Sequence, residues 1–296
     1  MDCKKPLSLR GIQFGCGQCL PCRINKRREW THRLLLESKY HEKNSFITLT
    51  YSPENIPLNG SLKPEDPTKF LKRLREKIAP QKLRYYLVGE YGDNTFRPHY
   101  HLACFGLGPE DADTIQSAWD LGHTYTGTLT QDSAQYVAGY VTKKMTSSDD
   151  PRLIRNGIKL LPEYARMSLK PALGSQVVMP ITKQLNSKLG NKILDNFNDV
   201  PKVLQHGNKT MPLGRTIVEK LRDQQKWEKR IIGREYPQDI LQKRQQKNQE
   251  KSLQILQDYQ DSNTSAPSIG VYTEEKRKQK ALQRETKHNL YNKRTL

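Results

Sequence analysis

Hydrophobic positions change their spacing several times along this chain. Over residues 23 to about 43, Ile24, Trp30, Leu34, Leu35 and Tyr40 fall near one helical face, and basic residues crowd the N-terminal half. Residues 46–51 (FITLTY) are β-branched and aromatic and run into Ser52-Pro53, so a strand is predicted there. Asp66-Pro67 marks a helix start, with Asp66 as cap and Pro67 in the first turn; Phe70, Leu71, Leu74 and Ile78 form its apolar stripe, and Pro80 stops it. Residues 83–91 and 98–105 read as strands joined through Gly92, Asp93 and Asn94, which predicts a hairpin. A short helix over 111–120 and a strand over 122–129 follow, and then a helix capped by Asp132-Ser133. Strands alternate with helices, yet at least one connection is a hairpin. The predicted class is therefore α+β, a mostly antiparallel central sheet flanked by helices.

Outside this stretch the pattern weakens. Residues 1–22 are Cys-rich and irregular. Residues 146–214 are punctuated by Pro and Gly and form an extension. Residues 215–296 carry 19 Lys and Arg against 11 Asp and Glu and read as a basic, polar tail, helical or partly disordered, with a break near 263–268. Its isolated Leu253, Ile255 and Leu256 give too few heptads for a stable coiled coil. The expected division is 1–22, 23–145, 146–214 and 215–296, with the sheet in the second part.

Charge narrows the function. The formal net charge is +19, which points to a polyanionic partner, most simply nucleic acid. No apolar run is long enough to span a bilayer, and the N-terminus MDCKKPLSLR lacks the apolar stretch of a signal peptide. The expected location is cytoplasmic, with no membrane partner and with the five cysteines as thiols or metal ligands. Hydrophobic content of 34% is low, so part of the chain is expected to be extended.

Three separated segments carry the candidate chemistry. In a strand, residues two apart share a face, so His99 and His101 project together while Tyr100, Leu102 and Cys104 go to the other side. Glu90, in the preceding strand, is the natural third ligand, and such a site with open positions suits Mg²⁺ or Mn²⁺. A half-exposed strand without metal is the alternative. Tyr136 and Tyr140 are four apart and share a helix face, with Lys143 and Lys144 following at helical reach. A cation beside a phenol favours the phenolate, a nucleophile; two packed core tyrosines are the simpler alternative. Finally, Cys16, Cys19 and Cys22, with Cys3 as a fourth, suit structural Zn²⁺, while iron–sulfur ligation or free thiols stay open. Arg23, Lys26, Arg27 and Arg28 line the helix after the cysteines and, with Arg97, are candidates for DNA contact, or simply a solvated face.

Together these segments resemble the HUH endonucleases, in which a bulky apolar residue, here Tyr100, separates the two histidines. The resemblance is to rolling-circle replication initiators of microviruses, the gokushovirus-like single-stranded DNA bacteriophages. FITLTY resembles the family's first motif, RPHYHLACFG (97–106) the second, and YVAGYVTKK (136–144) the third. CGQCLPCR (16–23), followed by a basic helix with Glu29-Trp30, is similar to the phage group's N-terminus, and EYARMSLKPALG (163–174) to a segment beyond the third motif. The resemblance covers about residues 1–145. It implies a metal-dependent endonuclease and strand transferase. One tyrosine would nick single-stranded DNA at a viral replication origin and form a 5′-phosphotyrosine; the second would act after a round of synthesis, and the free 3′ end would close the circle. No Walker A motif is present, so host helicase and polymerase are the implied partners. A non-catalytic basic nucleic-acid-binding or packaging protein with a zinc module is the competing expectation.

Overall fold

The computed structural model describes residues 3–9, 12–93, 95–140, 150–197, 199–231, 239–262 and 264–294. The chain divides into two compact units. One comprises Met1–Lys26, Ile181–Pro201 and Glu219–Leu296; the other comprises Arg27–Pro180 and Lys202–Val218.

In chain order the elements begin with a short hairpin, β1 (Leu7–Leu9) and β2 (Ile12–Phe14), where the sequence suggests irregular structure. Helix α1 (Leu20–Ser38) follows, then β3 (Asn44–Tyr51), α2 (Glu65–Ile78), β4 (Arg84–Tyr91), β5 (Pro98–Phe105), α3 (Ala112–Ala118), β6 (Gly122–Thr128) and α4 (Gln131–Gly139). Next come the two-residue strands β7 (Ile154–Arg155) and β8 (Ile158–Lys159), then β9 (Tyr164–Met167), α5 (Val178–Leu185) and α6 (Lys188–Phe197). A hairpin of β10 (Val203–His206) and β11 (Lys209–Pro212) leads to α7 (Gly214–Ile231), α8 (Asp239–Gln260) and α9 (Ile269–Arg294). The gap between α8 and α9 contains the expected break at 263–268. No described helix is long and apolar enough to cross a membrane.

The larger unit is built on a five-stranded antiparallel sheet, order β6-β3-β5-β4-β9, with helices on its faces. The α+β class therefore holds. Its fifth strand, β9, comes from the segment in which the sequence shows no strand periodicity. Strand alternation divides the side chains between two cores. Ile47, Leu49, Tyr51, Leu87, Tyr91, Tyr100, Leu102 and Cys104 face one way, against Phe70, Leu71 and Leu74 of α2 and Ile115 of α3. Tyr86, Val88, Ala103 and Phe105 face the other way, against Leu34 and Leu35 of α1 and Ala134, Val137 and Ala138 of α4. Cys104 is core, and burial pushes its thiol up to about 12.

Three predicted helix ends move, each for a local reason. Helix α1 stops at Ser38 rather than near residue 43, because the Asn44 side-chain amide donates to the carbonyls of Ser38 and His41 at 3.1 and 3.0 Å. Helix α2 starts at Glu65, so Asp66 lies inside the first turn; instead of capping, its carboxylate accepts the Tyr51 hydroxyl at 2.8 Å. Helix α4 is capped by Thr130, whose hydroxyl accepts from the Ser133 amide while the Ser133 hydroxyl accepts from the Thr130 amide. The expected cap at Asp132-Ser133 is thus two residues late.

In the smaller unit, Arg222 pairs with Asp199 at 2.6 Å. Tyr259 of α8 and Tyr272 of α9 meet with ring centroids 5.4 Å apart.

Candidate metal and tyrosine site

Register builds the site. In β4 and β5, Glu90 lies directly opposite His99, and Val88 opposite His101. In β5 and β3, His101 lies opposite Thr48, and His99 opposite Thr50. Directly opposed residues share a face, so Glu90, both histidines, Thr48 and Thr50 stand on the side that α4 covers in part. The hairpin turn fixes this register: the Gly92 amide donates to the Arg97 carbonyl at 3.0 Å, and the Phe96 amide to the Gly92 carbonyl at 2.8 Å.

Both imidazoles converge on one carboxylate oxygen. Glu90 Oε1 lies 2.7 Å from His99 Nε2 and 3.0 Å from His101 Nε2, and Glu90 is only 2% exposed. The far side of each ring is also held. His99 Nδ1 is 3.1 Å from the Arg97 carbonyl, and His101 Nδ1 is 2.9 Å from Thr48 Oγ1. A carbonyl only accepts, so His99 Nδ1 carries its proton. In the neutral ring this turns the Nε2 lone pair towards the carboxylate, and a cation between them resolves that opposition. At His101 the hydroxyl of Thr48 can donate or accept, so the ring can take either tautomer without turning.

The donor set fits a divalent ion. The ligand atoms of Glu90, His99 and His101 lie within 4.8 Å of one another. Neighbouring ligands at about 2.1 Å from an octahedral centre stand about 3.0 Å apart, close to the spacings between Glu90 and each ring.

The tyrosines of α4 close over this cluster. His101 stacks on Tyr140 with centroids 5.4 Å apart and planes within 10°, and it meets Tyr136 edge-on at 5.3 Å. The two phenol rings are 5.0 Å apart. Phe46 stacks on His101 at 5.4 Å and meets Tyr136 at 6.0 Å. The two phenols differ in exposure: Tyr136 is 49% exposed and Tyr140 only 7%. Burial, then the negative charge of Glu90 and hydrogen bonding with Tyr136 and Glu90, hold the Tyr140 hydroxyl well above its ordinary pKa. Helix α4 reaches this position because Ala134, Val137 and Ala138 pack on the sheet and Arg27 Nε donates to the Gln135 carbonyl at 3.2 Å.

The predicted site residues are therefore distributed as follows. Glu90, His99, His101, Tyr136 and Tyr140 come together. Lys143 and Lys144 lie outside the described residues. Of the candidate DNA-contacting cations, Arg27 braces α4, Arg28 donates to the Thr210 carbonyl at 2.9 Å, and Arg97 donates to the Tyr51 carbonyl. Arg23 and Lys26 lie in the smaller unit, where Lys26 is exposed. Sequence reasoning missed Phe46 and Thr48 as site residues. Both are even-numbered positions of a strand whose odd positions are core, which is the signal that could have found them.

The smaller unit holds a second cluster. The sulfurs of Cys3, Cys16, Cys19 and Cys22 lie within 4.8 Å of one another. Cys3 and Cys19 sulfurs are 3.8 Å apart, too far for a disulfide and close to the edge, about 3.8 Å, of a tetrahedron with metal–sulfur bonds of about 2.3 Å. The Cys16 amide donates to Cys3 Sγ at 3.2 Å, and the Cys19 amide to Cys16 Sγ at 3.3 Å. Gly17, at φ 75°, makes the turn between them. The cluster can hold a metal.

Comparison with known proteins follows the same residues. A family model for replication-associated proteins of the ORF2 type matches residues 44–145, from the start of β3 to just past Tyr140. The chain is 36% identical over 164 residues to replication-associated protein VP4 of Bdellovibrio phage phiMH2K, covering 48% of this chain and 52% of that protein. It is 36% identical over 176 residues to replication-associated protein ORF2 of Spiroplasma virus 4, covering 52% and 53%. It is 27% identical over 158 residues to replication-associated protein ORF4 of Chlamydia phage 1, covering 46% and 39%. The chain thus spans about half the length, or less, of these relatives. No solved structure matches. The chain resembles replication-associated proteins of small phages, in agreement with the resemblance carried by its motifs.

Proposed function

We propose that this chain is a replication-initiation endonuclease that nicks single-stranded DNA at a viral origin and later rejoins it, using a tyrosine nucleophile. One observation carries the reading: two phenols stand in ring contact with a histidine of a His/His/Glu cluster, on one face of one sheet. Core tyrosines need no such neighbours, and a plain binding protein needs no converged ligand set.

Glu90, His99 and His101 would hold Mg²⁺ or Mn²⁺. That ion would polarise the scissile phosphate and offset the charge that builds on its oxygens. The chain's own groups do the rest. Tyr136 is the phenol open to an incoming strand and takes the first cleavage. Its oxygen loses a proton and bonds to phosphorus as the bond to the 3′ oxygen breaks; that oxygen takes up a proton and leaves as a 3′ hydroxyl. The 5′ phosphate stays on the tyrosine. Tyr140 lies close enough to serve the second cleavage, after which attack of a 3′ hydroxyl on the phosphotyrosine rejoins the strand. Lys143 and Lys144 are proposed to approach the phosphate or the leaving oxygen, and Arg23, Lys26, Arg27, Arg28 and Arg97 to contribute to DNA binding. Origin DNA, host helicase and host polymerase are the proposed partners, in the host cytoplasm. For the four cysteines we propose structural Zn²⁺, since N–H to sulfur bonds and a tetrahedral sulfur spacing suit four thiolates.

The test is a covalent adduct. The purified chain is incubated with Mn²⁺ and a labelled single-stranded oligonucleotide carrying the origin. An adduct that survives denaturation, and vanishes in the Tyr136→Phe, Tyr140→Phe double variant, is expected. An undiminished adduct in that variant, or no adduct with a verified origin and metal, would favour the non-catalytic binding protein. His99→Ala with His101→Ala is expected to abolish cleavage and keep much non-specific binding.

A further inference from the structure

The site described above uses the middle of the sheet face and leaves its edge unassigned. On that face, the row Val88, His101, Thr48 continues to Tyr125 of β6, the edge strand. Tyr125 is the most exposed aromatic residue among those described, at 64%. Its ring does not simply stand in solvent. Its tip lies over Gly127, two residues on, where an added Cβ would meet the phenol oxygen at 2.9 Å and two ring carbons at 3.2 and 3.3 Å. Gly127 in turn pairs with Phe46, the residue that stacks on His101 and touches Tyr136. An aromatic strip therefore runs from the open edge at Tyr125, past a bare glycine, to Phe46 and on to the proposed nucleophile.

A lone exposed tyrosine needs no explanation. This one lies two strands from His101, roughly 10 Å away by strand spacing. The glycine beside it lets the ring lie along the sheet. Burial does not account for it, since the side chain leaves most of its surface in water.

We propose that Tyr125 is a stacking platform for a nucleobase of the single strand that enters the site. This rests on the endonuclease reading. Stacking on an aromatic ring is tolerant of base identity, because every base has a π-face. Tyr125 thus holds the strand next to the phosphate to be cut without itself reading sequence, and it is a positioning residue rather than a catalytic one.

The test uses the full chain and two labelled 20-nucleotide probes of equal charge, oligodeoxythymidine and its fully abasic counterpart, with binding followed by fluorescence anisotropy at fixed salt. The wild type is expected to prefer the probe with bases. Tyr125→Ala should weaken oligodeoxythymidine binding about tenfold or more and leave the abasic probe unchanged, while Tyr125→Phe stays within about twofold of wild type. Irradiation of a 5-iodouracil probe should crosslink to the peptide containing Tyr125. Unchanged affinity of Tyr125→Ala for oligodeoxythymidine, or equal weakening for both probes, overturns the proposal. The adduct assay separates the two readings: an adduct with origin DNA alongside either of those results removes the platform alone. A wild type that binds neither probe and forms no adduct removes both.

Discussion

Thr48→Val tests whether the outer partners of the histidines matter as much as the geometry implies. Thr48 Oγ1 is 2.9 Å from His101 Nδ1, and this is the contact that holds the back of the ring. When Nε2 binds a metal, Nδ1 carries a proton and needs an acceptor. Valine keeps the volume, the branching and the strand preference of threonine and removes only the acceptor. The bound state then contains a donor without a partner beside a nearly buried ring, a cost of about 1–3 kcal/mol. Without metal the ring is freer to turn towards water, so most of that cost falls on binding. The dissociation constant for Mn²⁺ should rise about 10- to 100-fold, the range expected when an outer hydrogen-bond partner of a metal-bound histidine is removed. Thr48→Ser, which keeps the hydroxyl, should stay within about twofold. Isothermal titration with Mn²⁺ reads this directly, with no need for origin DNA. If Thr48→Val binds Mn²⁺ like wild type, or if serine weakens binding as much as valine, the hydroxyl does not hold the ring and the reasoning fails.

Three further perturbations test other parts of the chain. Glu37 is wholly buried and accepts from Arg84 Nε at 2.5 Å, the Gly174 amide at 2.6 Å and His41 Nε2 at 3.2 Å, so Glu37→Ala should cost about 3–5 kcal/mol in urea unfolding; a loss below about 1 kcal/mol would show that water replaces the carboxylate. Burial holds the pKa of His32 below 6.5, helped by His206 and Lys39 and opposed by a hydrogen bond with the Pro212 carbonyl; below pH 6.5 the unfolded chain takes up a proton that the folded chain refuses, so stability should fall as pH falls, and His32→Gln should flatten that slope between pH 7 and 5. An unchanged slope in His32→Gln would place the acid sensitivity elsewhere. The cysteine cluster should carry about one zinc per chain by elemental analysis, with Co²⁺ substitution giving thiolate charge-transfer bands that weaken in Cys22→Ser; iron in place of zinc, or no metal under reducing purification, would remove the assignment.

Much of the central fold is legible because its signals are local. The β-branched run ending at Tyr51, the Gly92 turn and the apolar stripe of Phe70, Leu71 and Leu74 each identify an element within a few residues. Helix ends are less legible, because competing caps lie close together. Thr130 and Asp132 are both good caps, and the choice falls to the one whose partner, Ser133, can answer it. Asp66 looks like a cap until Tyr51, fifteen positions away, claims its carboxylate. Strand β9 is illegible for a different reason. At the sheet edge, Tyr164, Arg166 and Met167 keep partial exposure, so no clean alternation marks it.

The same distinction explains which site residues could be read. His99 and His101 announce a shared face by their spacing alone, and Tyr136 and Tyr140 do the same on a helix. Glu90 needs one further step, the hairpin, which the turn residues supply. Thr48, Phe46 and Tyr125 need two: that β3 lies beside β5, and that β6 lies beside β3. Neither pairing follows from chain order, since β4 and β5 are consecutive but β3 and β5 are not. A one-residue slip between β3 and β5 would turn Thr48 and Phe46 into the opposite core and bring Leu49 or Ile47 against the histidines. The support behind the metal ligands is therefore set by non-local register. The aromatic strip that reaches the sheet edge depends on two such registers at once, and for that reason it becomes visible only when the chain is folded.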